Sequence, residues 1–250
     1  MKIVTWNCNG AFRKKFEHLI HINADIYIIQ ECEDPEKCKD LPYKNWASNY
    51  LWIGNNKNSG LGVFAKENIL LKSLDWESAG LQSFIPFVIN NEFTVLAVWT
   101  KQANSPTFQY IGQLWKYLQA HQSKLCSANS IICGDFNSNT CWDKWDRWWN
   151  HSDVVNDLAK INIHSIYHHA NNLAQGKETT PTFYLHRNLE KPYHIDYAFA
   201  SSKLLASASL EIGTFNEWIS LSDHMPIIFQ IHQKFPTEQI PLTPRRATQA

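Results

Sequence analysis

Five apolar runs in this chain begin or end on a small cluster of acid, amide or imidazole groups, and that coincidence limits the folds open to it. Lys2–Trp6 leads to Asn7, Ile26–Ile29 to Gln30 and Glu31, and Ser130–Cys133 to Gly134-Asp135-Phe136-Asn137. Asp196 lies within the run Tyr193–Phe199, and Asp223-His224 opens the run Met225–Ile231. Short β-rich apolar runs bounded by turn residues read as buried strands. Polar groups at strand ends are aimed by a rigid sheet, here toward one cleft.

Gly60–Ala65 and Phe93–Trp99 are further candidate strands. Phe12, Phe16, Leu19 and Ile20 recur at helical spacing, which predicts a first helix ending near Asn23. Tyr110, Ile111, Leu114, Trp115 and Leu118 mark an amphipathic helix. Many strands with few helices, not in strict alternation, point to an α+β chain or a two-sheet sandwich flanked by helices. No Gly/Ser-rich linker divides the 250 residues, so one domain is expected over 1–232. Residues 233–250 carry Pro236, Pro241 and Pro244 with few apolar residues and read as a flexible tail. Arg245 and Arg246 within it could touch a polyanion, although a solvated tail needs no such role.

Hydrophobic residues at 44% and charged residues at 18% describe an ordinary core-forming chain and exclude an intrinsically disordered one. The formal net charge is zero. Strong polyanion binders usually carry a basic surplus, so any basic surface here is local. Cys8, Cys32, Cys38, Cys126, Cys133 and Cys141 form no CxxC pair, which favours free thiols in a reducing cytoplasm over zinc. Met1 leads straight into a strand-like run and no apolar run is long enough to span a membrane, so neither a secretory leader nor a membrane anchor is expected.

The polar clusters form a kit for phosphoryl chemistry. A hard divalent cation prefers oxygen ligands. Glu31 and Asp223 can supply them, with the Asn7 amide alongside. A carboxylate such as Asp135 can activate water, and Asn137 can orient it. A protonated His224 can stabilise charged phosphoryl oxygens, with Asp196 holding the imidazole in one tautomer. Taken singly each cluster also has a local role as a turn or cap; GDFN alone has good turn chemistry.

In order, WNCNG, QE, GDFN, IDY and SDHMP resemble the endonuclease/exonuclease/phosphatase superfamily, the DNase I-like fold, from Lys2 to about Ile231. The resemblance implies a four-layer sandwich of two mixed β-sheets flanked by helices, a site at one edge, and a Mg²⁺-dependent phosphoesterase, with Mn²⁺ as a possible substitute. By the same resemblance Glu31 matches the principal metal carboxylate, Asn7 its support and Asp223 a metal-linked carboxylate. Asp135 and Asn137 match the pair handling water and phosphate, Asp196 the carboxylate orienting the histidine, and His224 the histidine facing the scissile phosphate. Many members place Tyr or His at the end of the strand that here reads VLAVWTK. Trp99 or Lys101 could substitute as a wall or a phosphate contact, or the position is vacant. His194 stands where relatives often have Arg; alternation puts it on the face of Asp196, either in the site or behind it.

Trp142, Trp145 and Trp149 share one face if their segment is helical, and either pack against the sandwich or stack bases beside the site. His164 and His168 stand at i, i+4, but Ile163–Tyr167 reads as a strand, which spoils a helical zinc pair. Thr179–Tyr184 resembles the family's aromatic substrate loop, and Phe183 and Tyr193 could contact a nucleotide or simply pack. The expected function is a nuclease acting on DNA or RNA as a monomer, with no membrane and no obligate protein partner. The competing reading is a phosphatase or phosphodiesterase for a small nucleotide, inositol phosphate or phospholipid head group, which the neutral charge favours. A catalytically dead scaffold has no need of the intact set.

Overall fold

The computed structural model describes residues 1–78, 80–103 and 105–232, so the expected tail from residue 233 lies outside the described residues. In chain order the strands are β1 (Lys2–Asn7), β2 (Ile26–Cys32), β3 (Tyr50–Asn56), β4 (Ser59–Ala65), β5 (Leu71–Ser73), β6 (Phe84–Ile89) and β7 (Phe93–Trp99). They continue as β8 (Ser130–Asp135), β9 (Ile163–Ser165), β10 (Phe183–Tyr184), β11 (Pro192–Tyr193), β12 (Asp196–Ser201), β13 (Ala208–Ile212) and β14 (Ile227–Ile231). Two six-stranded sheets result, ordered β13-β14-β1-β2-β4-β3 and β5-β6-β7-β8-β12-β9, with β10 and β11 as a separate ribbon. Both sheets are mixed: β1–β2 and β7–β8 run parallel and the other pairs antiparallel.

Three apolar layers hold the sandwich together. Ile3, Ile28, Val63, Phe87, Val95, Ile131 and Phe229 fill the space between the sheets. Trp6, Phe12, Tyr43, Phe64 and Trp218 pack outside the first sheet. Leu96, Leu114, Tyr117, Ile132, Leu158 and Phe199 pack outside the second, beneath the helices Ile111–His121 and His151–Lys160. Central strands are therefore buried on both faces, which explains why they read as continuous apolar runs rather than alternating ones.

Some local expectations change. The predicted first helix is a short 3-10 turn, Phe12–Lys14, followed by Glu17–Ile20. The Tyr193–Phe199 run is broken after Tyr193, because Thr182 Oγ1 takes the Ile195 and Asp196 N–H groups at 3.0 Å each. The tryptophan segment is not a helix beyond the turn Thr140–Trp142. Asn150 satisfies its backbone instead, accepting from Lys144 N and donating to the Lys144 and Arg147 carbonyls. The 163–167 strand ends at Ser165, and His168 lies in the following helix, Ile166–Asn171. His168 meets Glu178 at 2.9 Å, while His164 lies on the strand and is exposed.

Candidate active site

The two parallel pairs end at the same edge of the sandwich. Asn7 closes β1 and pairs with Gln30, Asp135 closes β8, and Asp196, which opens the antiparallel β12, lies directly opposite Asp135. Gly134 has φ +141, and a Cβ there would lie 1.9 Å from Val98 O, so only glycine lets β8 run this close to β7 just before Asp135.

One side-chain amide joins the sheets. Asn7 Nδ2 donates to Glu31 Oε1 at 3.1 Å and to Asp135 Oδ2 at 2.9 Å. Asn7 Oδ1 accepts from Asn9 N, and Asn9 Nδ2 donates to Asp223 Oδ1 at 2.6 Å. Glu31 sits at a bulge, where the pairing of β2 with β4 shifts between Gln30 and Cys32, and its φ is +63. A bulge re-aims a side chain, and a non-glycine residue in this region costs on the order of 1–3 kcal/mol, a strain that concentrates at functional sites.

Asp135 is fully buried and held by Asn137, whose backbone N–H and Nδ2 each donate to it at 2.8 Å. Asn137 Nδ2 also donates to Thr100 O. Burial and the neighbouring Asp196 push the Asp135 carboxyl well above the usual carboxylate range. His224 Nδ1 lies 2.9 and 3.1 Å from the two Asp196 oxygens. Burial works against its charge, but the Asp196 charge and hydrogen bond outweigh it and raise the imidazole to about 9. Trp6 Nε1 holds the His224 carbonyl at 2.9 Å, and Ser222 Oγ bridges Asn7 O and His224 N.

Asp135, Asp196 and His224 present ligand atoms within 4.8 Å of one another, a group that could hold a metal ion. Those groups are buried and already engaged, Asp196 with His224 and Asp135 with Asn7 and Asn137. The Glu31 edge suits a hard cation better: the carboxylate is half-buried, and only one of its oxygens is taken, by Asn7. A site open to substrate binds Mg²⁺ through one or two carboxylates plus waters.

The expected substrate residues are distributed unevenly. Trp99 is 8% exposed and belongs to the layer between the sheets, so it is no open wall. Lys101 Nζ lies 4.3 Å above its ring, and burial lowers this ammonium's pKa while Glu31 opposes the shift. The Phe183 ring lies 4.6 Å from the His224 ring, and Tyr193 is 6.3 Å beyond it. Trp145 is 98% exposed and outside the cleft. His194 turns away from the site: its Nδ1 meets Thr180 O, and its ring packs on Tyr167. Asn9 and Ser222 stand inside the motifs WNCNG and SDHMP and Thr182 beside Phe183, yet the sequence reading gave none of the three a role.

A two-sheet sandwich with helices outside, and with carboxylates, amides and an Asp–His pair gathered at one edge, is the architecture of a phosphoester hydrolase. The model of the endonuclease/exonuclease/phosphatase family matches residues 4–224, and the chain belongs to that family. No curated protein matches the chain in sequence. Solved structures share the DNase I-like fold at low identity. A 3' phosphatase from Neisseria bound to a product DNA hairpin is 16% identical, with 93% of this chain and 100% of that one covered and a TM-score of 0.67. An AP endonuclease from Archaeoglobus fulgidus is 18% identical, with 92% and 99% covered and a TM-score of 0.64. The endonuclease domain of TRAS1, a telomere-specific non-LTR retrotransposon, is 16% identical, with 94% and 99% covered and a TM-score of 0.62.

Proposed function

We propose that this chain is a Mg²⁺-dependent hydrolase of phosphodiester bonds in nucleic acid, Mn²⁺ serving as a substitute. The observation that carries the reading is the Asn7 amide shared between Glu31 and Asp135, which puts a cation-ready carboxylate beside a buried base. The DNA hairpin in the Neisseria structure and the AP endonuclease and TRAS1 endonuclease likenesses support the substrate class.

Glu31 would hold Mg²⁺ with Asn7 in support and Asp223 attached through Asn9. The ion, when bound, polarises a phosphoryl oxygen and offsets transition-state charge. Asp135 accepts the proton of the attacking water, and its raised pKa matches a base to neutral operation. Asn137 fixes Asp135 and orients the water. His224, cationic through its pairing with Asp196, stabilises the phosphoryl oxygens as their charge grows. Lys101 adds a cation at the mouth, above Trp99, where many members of the family have Tyr or His. Phe183 and Tyr193 wall the side next to His224. A cytoplasmic setting is consistent with six free cysteines. Among the described residues no helix is long and apolar enough to cross a membrane.

The deciding experiment measures Mg²⁺-dependent hydrolysis of DNA, RNA, inositol phosphates and small nucleotides by the wild type and Glu31→Gln. Nucleic-acid cleavage lost in Glu31→Gln at ordinary Mg²⁺, with the melt unchanged, is expected. Turnover confined to the small phosphoesters would replace this reading with a small-molecule phosphatase.

A further inference from the structure

A cleft of about 770 Å³ opens from Asn137 and runs between the 142–149 segment and the start of the helix Ile111–His121. That volume lies within the range of about 300–1,000 Å³ typical of ligand clefts. Its walls mix aromatic faces, Trp142, Tyr110 and Trp149, with the cations Lys144 and Arg147 and one acid, Asp146, which leaves the lining a net positive charge. The catalytic edge is continuous with it: Asn137 and Phe183 line its inner end.

Both walls are built rigidly. Asn150 cages the 144–147 backbone and binds Arg147 Nε at 2.8 Å, while Arg147 Nη2 donates to Trp142 O. Trp142 stacks one face on Tyr193 at 5.2 Å, yet remains 43% exposed. On the opposite wall Tyr110 is held at φ 50, ψ −118, with its N–H on Lys101 O at 2.9 Å. A non-glycine residue rarely adopts this backbone, and such strain clusters at ligand clamps. Gly112 lets the Trp149 ring pack closely on the start of the helix Ile111–His121, since a Cβ there would come within 2.9 Å of the ring.

We infer that this cleft binds unpaired nucleotides adjoining the scissile phosphate, so that the enzyme acts on single-stranded stretches rather than on closed duplex. The inference rests on the phosphodiesterase reading above. Aromatic faces bind base faces, which only unpaired bases present, and two cations complement the strand's phosphates. The ladder His224–Phe183–Tyr193–Trp142, spaced 4.6, 6.3 and 5.2 Å, leads from the catalytic imidazole to the cleft.

Kinetics on one oligonucleotide, single-stranded and in a blunt duplex, and on bis(4-nitrophenyl) phosphate provide the test, with wild type, Trp142→Ala and Trp142→Phe at saturating Mg²⁺. The wild type should show a lower KM on the single strand than on the duplex. Trp142→Ala should raise the single-strand KM about tenfold more than it changes ester turnover, because one lost stack of about 1–3 kcal/mol has that effect. Trp142→Phe should restore most of the loss. Equal effects on strand and ester, or a wild type indifferent to strandedness, would overturn the inference while leaving nuclease activity in place. A wild type that cleaves only the ester would remove the phosphodiesterase-on-nucleic-acid reading itself. A protein or a second copy of the chain in the cleft would leave Trp142→Ala kinetics unchanged, which also overturns it.

Discussion

Asn7 at the end of β1 donates to Asp135 at the end of β8 across 2.9 Å, so a single amide ties the edges of two different sheets. The same nitrogen reaches Glu31, and the distance between the Glu31 and Asp135 carboxylates is thereby fixed by one residue.

Replacing Asn7 by Ala should therefore weaken both functions at once. Groups that orient a metal ligand typically contribute 10- to 100-fold to metal affinity or activity, and a loss of about that size is expected here. A Mg²⁺ titration of turnover checks it: the half-saturating Mg²⁺ should rise and the plateau fall. A plateau that recovers fully at high Mg²⁺ would show that Asn7 serves Glu31 alone.

The pH profile should be bell-shaped. Asp135 must be ionised to take a proton, so its raised pKa places the acidic limb above the ordinary carboxylate range. His224 is raised to about 9, so its charge persists below that pH and the basic limb falls as pH rises through it. His224→Ala should flatten the basic limb and lower the rate by about 10²-fold or more. A basic limb that survives this substitution would assign it to another group.

Acid should load the fold with opposing contributions: buried His151 and His194 cost stability as pH falls, whereas Asp135, raised by burial, binds its proton first in the folded chain and offsets part of that cost. Burial lowers His151 to about 4, so between its ordinary 6.5 and 4 only the unfolded chain takes up the proton, and its contribution falls as pH drops through that window. Glu178 is lowered to about 2: burial opposes the shift, but hydrogen bonds from His168 and from the Gly176 and Glu178 backbone N–H groups outweigh it. Its contribution is present above 4.5 and lost between 4.5 and 2. Urea midpoints across this range provide the measurement. His151→Gln should remove one of these contributions, so its stability relative to the wild type should rise as pH falls from 6.5 to 4, with the Glu178 step unchanged.

The tryptophans outside and inside the core should behave oppositely. Trp145 is almost wholly exposed, and Trp145→Ala should leave the melting temperature within the small range of surface changes, about ±0.5 kcal/mol. Trp218, buried against Trp6 at 5.2 Å, should cost about 3–5 kcal/mol on replacement by Ala. Thermal or chemical denaturation of the pair distinguishes them.

Much of this candidate site was readable because its polar groups stand at or near the ends of apolar runs. Phe93–Trp99 was delimited correctly from β-rich composition, and Asn7, Asp135 and Asp196 fall at strand termini. Part of what stayed hidden depended on contacts distant in sequence. The strand Tyr50–Asn56 is an edge strand whose β-rich start, Tyr50–Ile53, went unread and whose exposed second half carries no pattern that separates it from a loop. The helix His151–Lys160 carries a short apolar stripe, Val154, Val155 and Leu158, that the sequence reading passed over. Its other readable signal was the capping box of Asn150 and Asp153, two polar residues that composition alone assigns to a turn. Trp142 to Trp149 read as a helix face because spacing cannot show that Asn150 would satisfy the loop backbone from outside.

The left-handed backbone at Glu31 sets stability and activity against each other at one position. Glycine adopts that conformation without penalty, so Glu31→Gly should melt above the wild type while losing turnover. The folded chain would be more durable without the carboxylate than with it. A selection for thermal resistance alone would accordingly drift toward an inert sandwich at position 31.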